Sequence, residues 1–217
     1  MKHLFYFALA ALVLIACGPR ERVSKSVFDE VNKAMEAKKL SDAQITQEAM
    51  SWGDSISLEA QQLLMENLHK AVGEGGFTGA LEFCNVNALS ITEELSKKHG
   101  VSIRRTSFRA RNQENLPTPE ELPILEAYEY NSENGIKNES NIQTLPGGDV
   151  LLYTKAIVIS SELCLSCHGD PTNDIEAAVL GRIDSLYSED LARNFKAGDL
   201  RGIWSVKIPK KAVVNRL

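Results

Sequence analysis

The stretch TGALEFCNVNALSITEELSKKHGVSIRRTSFRA, residues 78–110, changes its period partway along. Up to Gly100 the apolar positions Leu81, Cys84, Ala88, Ile91 and Leu95 recur three or four residues apart, which is the spacing of one helix face. Thr78 is the expected N-cap. Lys97, Lys98 and His99 suit the negative end of the helix dipole, and Gly100 is a natural stop. From Val101 to Ala110 the pattern alternates, as a strand does. On such a strand Arg105, Arg109 and Arg111 share one side and Arg104 faces the other. A helix delivered straight into a strand points to an α+β fold.

The flanks agree. Upstream, residues from Ser26 to about Ala71 read as helical, with Ser26 as a cap and Val27, Val31, Ala34 and Met35 at helical spacing. A second helix is expected through Leu58, Leu63, Leu64 and Leu68, with a break at Gly73, Gly75 and Gly76. Downstream, Pro117, Pro119 and Pro123 mark an ordered loop followed by a short helix. Asp149–Ser160 reads as a buried strand and Gly202–Pro209 as a final strand. Helices followed by several strands predict an antiparallel sheet with helices against it.

The first residues serve another purpose. The apolar run Leu4–Ala16 is too short to span a bilayer but fits a signal peptide, and it ends in Leu14-Ile15-Ala16-Cys17. That ending resembles the lipobox of bacterial lipoproteins, in which the cysteine is lipidated after cleavage. The expectation is a signal peptide over 1–16, a lipid-anchored tether over 17–25 and a helical extension over 26–53. A main domain over 54–217 follows. Cys17 is then the membrane anchor, and the protein faces the periplasm of the cell envelope. Gly18 after the cysteine, in place of Asp, favours the outer membrane. A net charge of −5 argues against nucleic acid as a partner.

Cys164-Leu165-Ser166-Cys167-His168 carries the strongest chemistry. Two thiols at this spacing can add to the two vinyl groups of one haem, and the adjacent histidine can then reach the iron. Two other chemistries use similar residues. A thioredoxin-type disulfide has the same cysteine spacing but belongs at a strand-to-helix step of an α/β fold. A four-ligand zinc site can be drawn from Cys164, Cys167, Cys84 and a histidine. With Cys17 lipidated and two cysteines on haem, Cys84 is left over. It is either a buried structural thiol or the sixth ligand of the iron. His69, His99, Met35, Met50 and Met65 compete for that place.

The chain also resembles the haem-binding DUF3365, or Tll0287-like, family over about residues 54–210. The matching segments are Phe83-Cys84-Asn85-Val86-Asn87-Ala88, then Ile103–Ser107 with Arg111–Pro117, then Cys164–Gly169. The last is Tyr187–Asp190 with Gly198–Val206. The resemblance implies a PAS-like α+β fold, with N-terminal helices packed around one covalently bound haem c. It also implies iron held by His168 and, by position, Cys84. Gln113 and Ser188 stand where the family commonly has proline.

A thiolate ligand favours ferric iron, so a His/Cys haem implies a low reduction potential. Arg104, Arg105, Arg109 and Arg111 are candidates to pair with the haem propionates, or are solvated strand charges. The expected role is electron transfer with a redox partner protein. The alternative is a redox or diatomic-gas sensor acting through a partner, because no signalling module follows before Leu217. An enzyme is not expected, since six-coordinate iron leaves no open place for substrate.

Overall fold

A computed structural model describes residues 24–34 and 40–217, with residues 31–34 and 85–89 described by backbone alone. The expected signal peptide, Cys17 and Met35 lie outside the described residues. The chain divides into two units at Lys39/Leu40. In the first, helix α1 spans Lys25–Ala34. Its cap is Ser24 rather than Ser26, since the Ser24 hydroxyl accepts the Val27 N–H at 3.3 Å. Ser24 lies two residues earlier and just outside the helix, where the free N–H groups are.

The second unit opens with a capping box. Ser41 Oγ accepts the Gln44 N–H at 3.2 Å, and the Gln44 side chain takes the Ser41 N–H at 2.9 Å. This starts α2, Asp42–His99. Helix therefore does not run unbroken from Ser26, and Asp54, the expected start of the main domain, lies inside α2. The glycine break is also narrower than the sequence suggests. Gly73 and Gly75 stay helical, and only Gly76 leaves the helix, with φ 65° and ψ −168°. Thr78 accordingly lies two residues past the break, near the start of the second part of α2. The helix ends as expected at Gly100, which is left-handed with φ 65° and ψ 34°.

The strands are β1 (Ser102–Thr106), β2 (Asn141–Thr144), β3 (Val150–Val158) and β4 (Leu200–Pro209). They form one antiparallel sheet in the order β1-β4-β3-β2. β1 is shorter than the alternation predicts, because the Ser107 N–H turns away to the Asn115 carbonyl at 3.0 Å. The chain is α+β. Between β1 and β2 lie a 3-10 turn at Gln113–Asn115 and helix α3, Leu122–Glu133. Three short helices complete the set: α4 (Glu162–His168), α5 (Ala177–Leu186) and α6 (Lys210–Val214).

Side chains alternate across the sheet. On one face Leu151, Tyr153, Trp204, Val206 and Ile208 meet an α2 stripe of Ile45, Ala49, Trp52, Ile56 and Ala60. Each large member of such a core adds about 1.5–3 kcal/mol by burial. The approach is close: a Cβ on Gly53 would sit 2.3 Å from the Tyr153 ring. On the other face Leu152 and Ile203 pack against Ile124, Leu125 and Tyr128 of α3.

Candidate functional site

Beyond Ala60, α2 continues over the sheet but no longer fills the space beneath it. A cavity of about 230 Å³ opens there, bounded by α2, the ends of β1, β3 and β4, helix α4 and Tyr187. Its wall contains Cys84, Cys164, Cys167 and His168 together, with Arg105, Arg111, Arg201 and Met65. Residues far apart in the chain thus meet on one surface.

α4 explains the motif's local geometry. Cys164, Cys167 and His168 stand at positions i, i+3 and i+4 of a short helix, so they share a face. Cys164 leans on a small cluster of Ile159, Ala192 and Phe195. Cys167 leans on another, formed by Leu81, Ile175, Val179 and Ile183. His168 Nδ1–H donates to the Ala192 carbonyl at 2.8 Å, and the Phe195 ring meets the imidazole edge-on at 6.2 Å. That bond fixes the tautomer and leaves the Nε2 lone pair available. Burial, and then the nearby Arg201 and Arg111, hold His168 well below the usual histidine range, so it is neutral. The surface it retains is cavity wall.

The three thiols differ. Burial raises Cys84 above the usual cysteine value, opposed by Arg105 and Arg111. Burial likewise pushes Cys167 up to about 11. Burial alone would also raise Cys164, but hydrogen bonding with Ser161 and Ser160 outweighs it and brings that thiol lower. Cys84, Cys164 and Cys167 are all free. Among the described residues no three His, Cys, Asp or Glu side chains converge as a metal site, so the zinc arrangement is not assembled. The antiparallel sheet likewise lacks the α/β setting of a thioredoxin-type disulfide.

The four sequence-predicted arginines separate. Arg104 lies on the opposite sheet face, donating to the Glu114 and Leu116 carbonyls at 2.8 Å and facing Glu121 at 3.6 Å. Arg109 follows the end of β1, so the alternation does not carry it to the cavity. It stacks 3.7 Å over the Phe195 ring and donates to the Arg193 carbonyl. Arg111 lines the cavity but is committed to Asp190, at 3.1 Å. Arg105 lies in the cavity wall 5.9 Å from the Trp204 ring, with no carboxylate partner among the described residues.

Arg201 is the cationic residue that the sequence reading missed. It donates to the Arg109 carbonyl at 3.2 Å, yet its Nε is buried with no partner. Burial, then Arg111 and Arg105, pull it down to about 9. The signal was its place one residue before the expected start of β4. The other candidate ligands lie elsewhere. His99 Nε2 is 2.8 Å from Glu59, Met50 packs against the main core, and His69 is exposed. Met65 alone of these lines the cavity.

The arrangement offers two thiols for covalent attachment, two donor atoms (His168 Nε2 and Cys84 Sγ) for a metal, and two cavity-lining guanidinium groups for anions. The two loops where the chain departs from the family pattern are tied together: Gln113 Nε2 donates to the Glu189 carbonyl at 2.9 Å, beside Ser188.

No curated protein matches the chain. The crystal structure of the cyanobacterial heme-protein Tll0287 is similar to it at 22% identity and a TM-score of 0.45, over 70% of this chain and 94% of that one. A family model described as Tll0287-like (Tll0287) matches residues 21–209, and the chain belongs to the Tll0287-like family.

Proposed function

We infer that the chain is an exported protein carrying one haem c on Cys164 and Cys167, with His168 and Cys84 as axial ligands, and that it relays electrons at the cell envelope. The observation behind this is the meeting in one cavity of both attachment thiols, a neutral histidine, a third thiol and two guanidinium groups with no carboxylate partner among the described residues. The fit extends to charge. The partnerless Arg201 Nε calls for an anion, and a haem brings two propionates.

Bound there, haem supplies a one-electron ferric/ferrous couple. The protein's part is positional and electrostatic. Cys164, with its lowered thiol, is the readier nucleophile for attachment. His168 presents Nε2 because Nδ1–H is held by Ala192. Coordination to a cation deprotonates a thiol outright, and Arg105 and Arg111 favour the resulting thiolate at Cys84. Such a donor favours the ferric state and predicts a low potential. Were His168 and Cys84 both to hold the iron, no place would remain for a substrate, so no turnover is proposed. Lipid on Cys17 would anchor the protein facing the periplasm, at the outer membrane. Cys17→Ala is then expected to move it from the membrane to the soluble fraction, and unchanged membrane retention would refute the anchor.

The test is a pyridine haemochrome of protein made with a cytochrome c maturation system; protein without bound haem would overturn the reading. Cys84→Ala is expected to keep the covalent haem while changing its ferric spectrum and spin state. An unchanged spectrum would give the sixth place to another residue, and Met65 is the next in reach.

One observation favours a sensor as the second reading. Cys84 lies beyond the Gly76 break, on the part of α2 joined to the rest through a residue at positive φ. Sensing through a partner requires Cys84 to leave the iron on reduction. Ready CO binding by the ferrous protein would support it; fast reduction by a partner cytochrome without a CO response supports the relay.

A further inference from the structure

The loop after Tyr187 holds the underside of His168 in an unusual way. The Ala192 carbonyl accepts two hydrogen bonds, from His168 Nδ1–H at 2.8 Å and from Arg111 Nη2 at 3.2 Å. The same Nη2 donates to the Cys167 carbonyl at 2.6 Å, on the residue preceding the histidine. Asp190 closes the circuit. Its side chain is fully buried, takes Arg111 Nε at 3.1 Å, the Ala192 N–H at 2.9 Å and Arg193 Nε at 2.6 Å. Arg111 is therefore paired with a carboxylate, which sets it apart from Arg105 and Arg201 among the described residues.

A carbonyl oxygen has two lone pairs, so both donors fit. They are not independent. A cationic donor draws electron density from the shared oxygen and weakens its pull on the imidazole N–H. An imidazole whose N–H is less strongly polarised is a poorer electron donor through its other nitrogen. Asp190 works against this by neutralising the guanidinium.

We propose that Arg111 and Asp190 are positioning residues that set the donor strength of His168 through the shared Ala192 carbonyl, and thereby the reduction potential of the haem. This rests on the reading of His168 as an iron ligand. Arg111 raises the potential and Asp190 restrains that rise. The two effects have opposite signs, which a purely structural pair would not produce.

The experiment is spectroelectrochemical titration of the haem-loaded protein and its Arg111→Gln and Asp190→Asn variants. Alongside it, resonance Raman records the iron–histidine stretch of the ferrous protein in the Cys84→Ala background, where the sixth ligand is removed. Arg111→Gln is expected to lower the potential and raise the stretching frequency. Asp190→Asn is expected to raise the potential and lower the frequency. Arg111→Lys keeps the charge but not the fork that spans two carbonyls and a carboxylate, so it serves if the glutamine variant does not fold. It is expected to raise the frequency as well. A shifted potential with an unmoved frequency would mean that the charges act through space, and would overturn the proposal. So would shifts of the same sign in Arg111→Gln and Asp190→Asn, or none. A negative haemochrome in the wild type would instead overturn the reading of His168 itself, and this proposal with it.

Discussion

Where α2 covers the sheet, two regions of the layer between them are built in contrary ways. Under Ile45–Ala60 the space is closed: Ala49 and Ala60 flank Trp52 and Ile56, and Tyr153, Val206 and Ile208 rise against them with almost no exposure. Past Gln61 the sheet offers Arg105, Ile157 and Gly202 instead, and the gap stays open at about 230 Å³. The closed end follows the ordinary rules of a core. The open end breaks them, with half-buried cations, a neutral half-buried histidine and free thiols. Stability and chemistry are therefore assigned to different stretches of one helix, and violations of local consistency mark the site.

The largest effect that tests this division is all-or-none. Replacing Cys164 and Cys167 with serine is expected to abolish covalent haem while the urea transition of the haem-free protein stays cooperative. Collapse of the fold along with haem loss would mean that the open end also carries the structure. The converse change, Ile56→Ala, strikes the closed end, where Ile56 is fully buried. It is expected to cost about 2–5 kcal/mol in urea denaturation, the usual range for a large-to-small core change. The ferric haem spectrum should not move; a shifted spectrum would show that the two ends are coupled.

Arg201 supplies a smaller effect of opposite sign. Its buried, unpartnered Nε makes it a burden on the haem-free protein, since a buried polar group without a partner costs about 1–3 kcal/mol. Arg201→Met is therefore expected to stabilise the haem-free form by about that much while reducing the yield of haem-loaded protein. Both quantities are readable, the first by thermal denaturation and the second by haem absorbance per polypeptide. Destabilisation of both forms would remove Arg201 from the site and make it a structural residue.

How far the sequence foretold this layout depended on the strength of each local signal. The residue 78–110 switch of period marked the change at Gly100, and the hydrophobic runs behind β3 and β4 were strong enough to read. The closed end was harder. Two of its five stripe positions are alanines, and the Ser41–Gln44 capping box announcing it went unread. Leu58, which looked like a core position, is exposed at 53%, because helical hydrophobicity does not say which face meets the sheet. β2 was invisible because Asn141-Ile142-Gln143-Thr144 is short, polar and at the sheet edge. At the site, the motif was legible from spacing alone. The placing of Arg105 and Arg104 on opposite sides of the sheet followed from alternation, although both stood as candidates. Arg109 and Arg201 did not, since one lies past the end of its strand and the other joins through β4.

The smallest predicted effect tests whether the closed end is fully satisfied where the open end is not. Asp54 Oδ1 accepts from the Tyr153 hydroxyl at 2.6 Å, Ser140 Oγ at 2.8 Å and Lys155 Nζ at 3.3 Å. Burial works to raise the Asp54 carboxyl, but these bonds outweigh it and hold it below the usual 3.8. Burial, and then the bond to Asp54, push the Tyr153 hydroxyl upward, so it stays a donor at all ordinary pH. Asp54→Ala removes an acceptor from that buried hydroxyl. With Asp54 44% exposed and water screening the charge, the cost is expected near about 1 kcal/mol. Because the folded value is depressed, the stabilisation is complete above the unfolded value of 3.8 and is lost as pH falls through the folded one. The gap in urea midpoint between wild type and variant should hold constant from neutral pH to about 4 and close below it. A gap that persists at lower pH would assign the network to the hydroxyls of Ser57 and Ser140 rather than to the carboxylate charge.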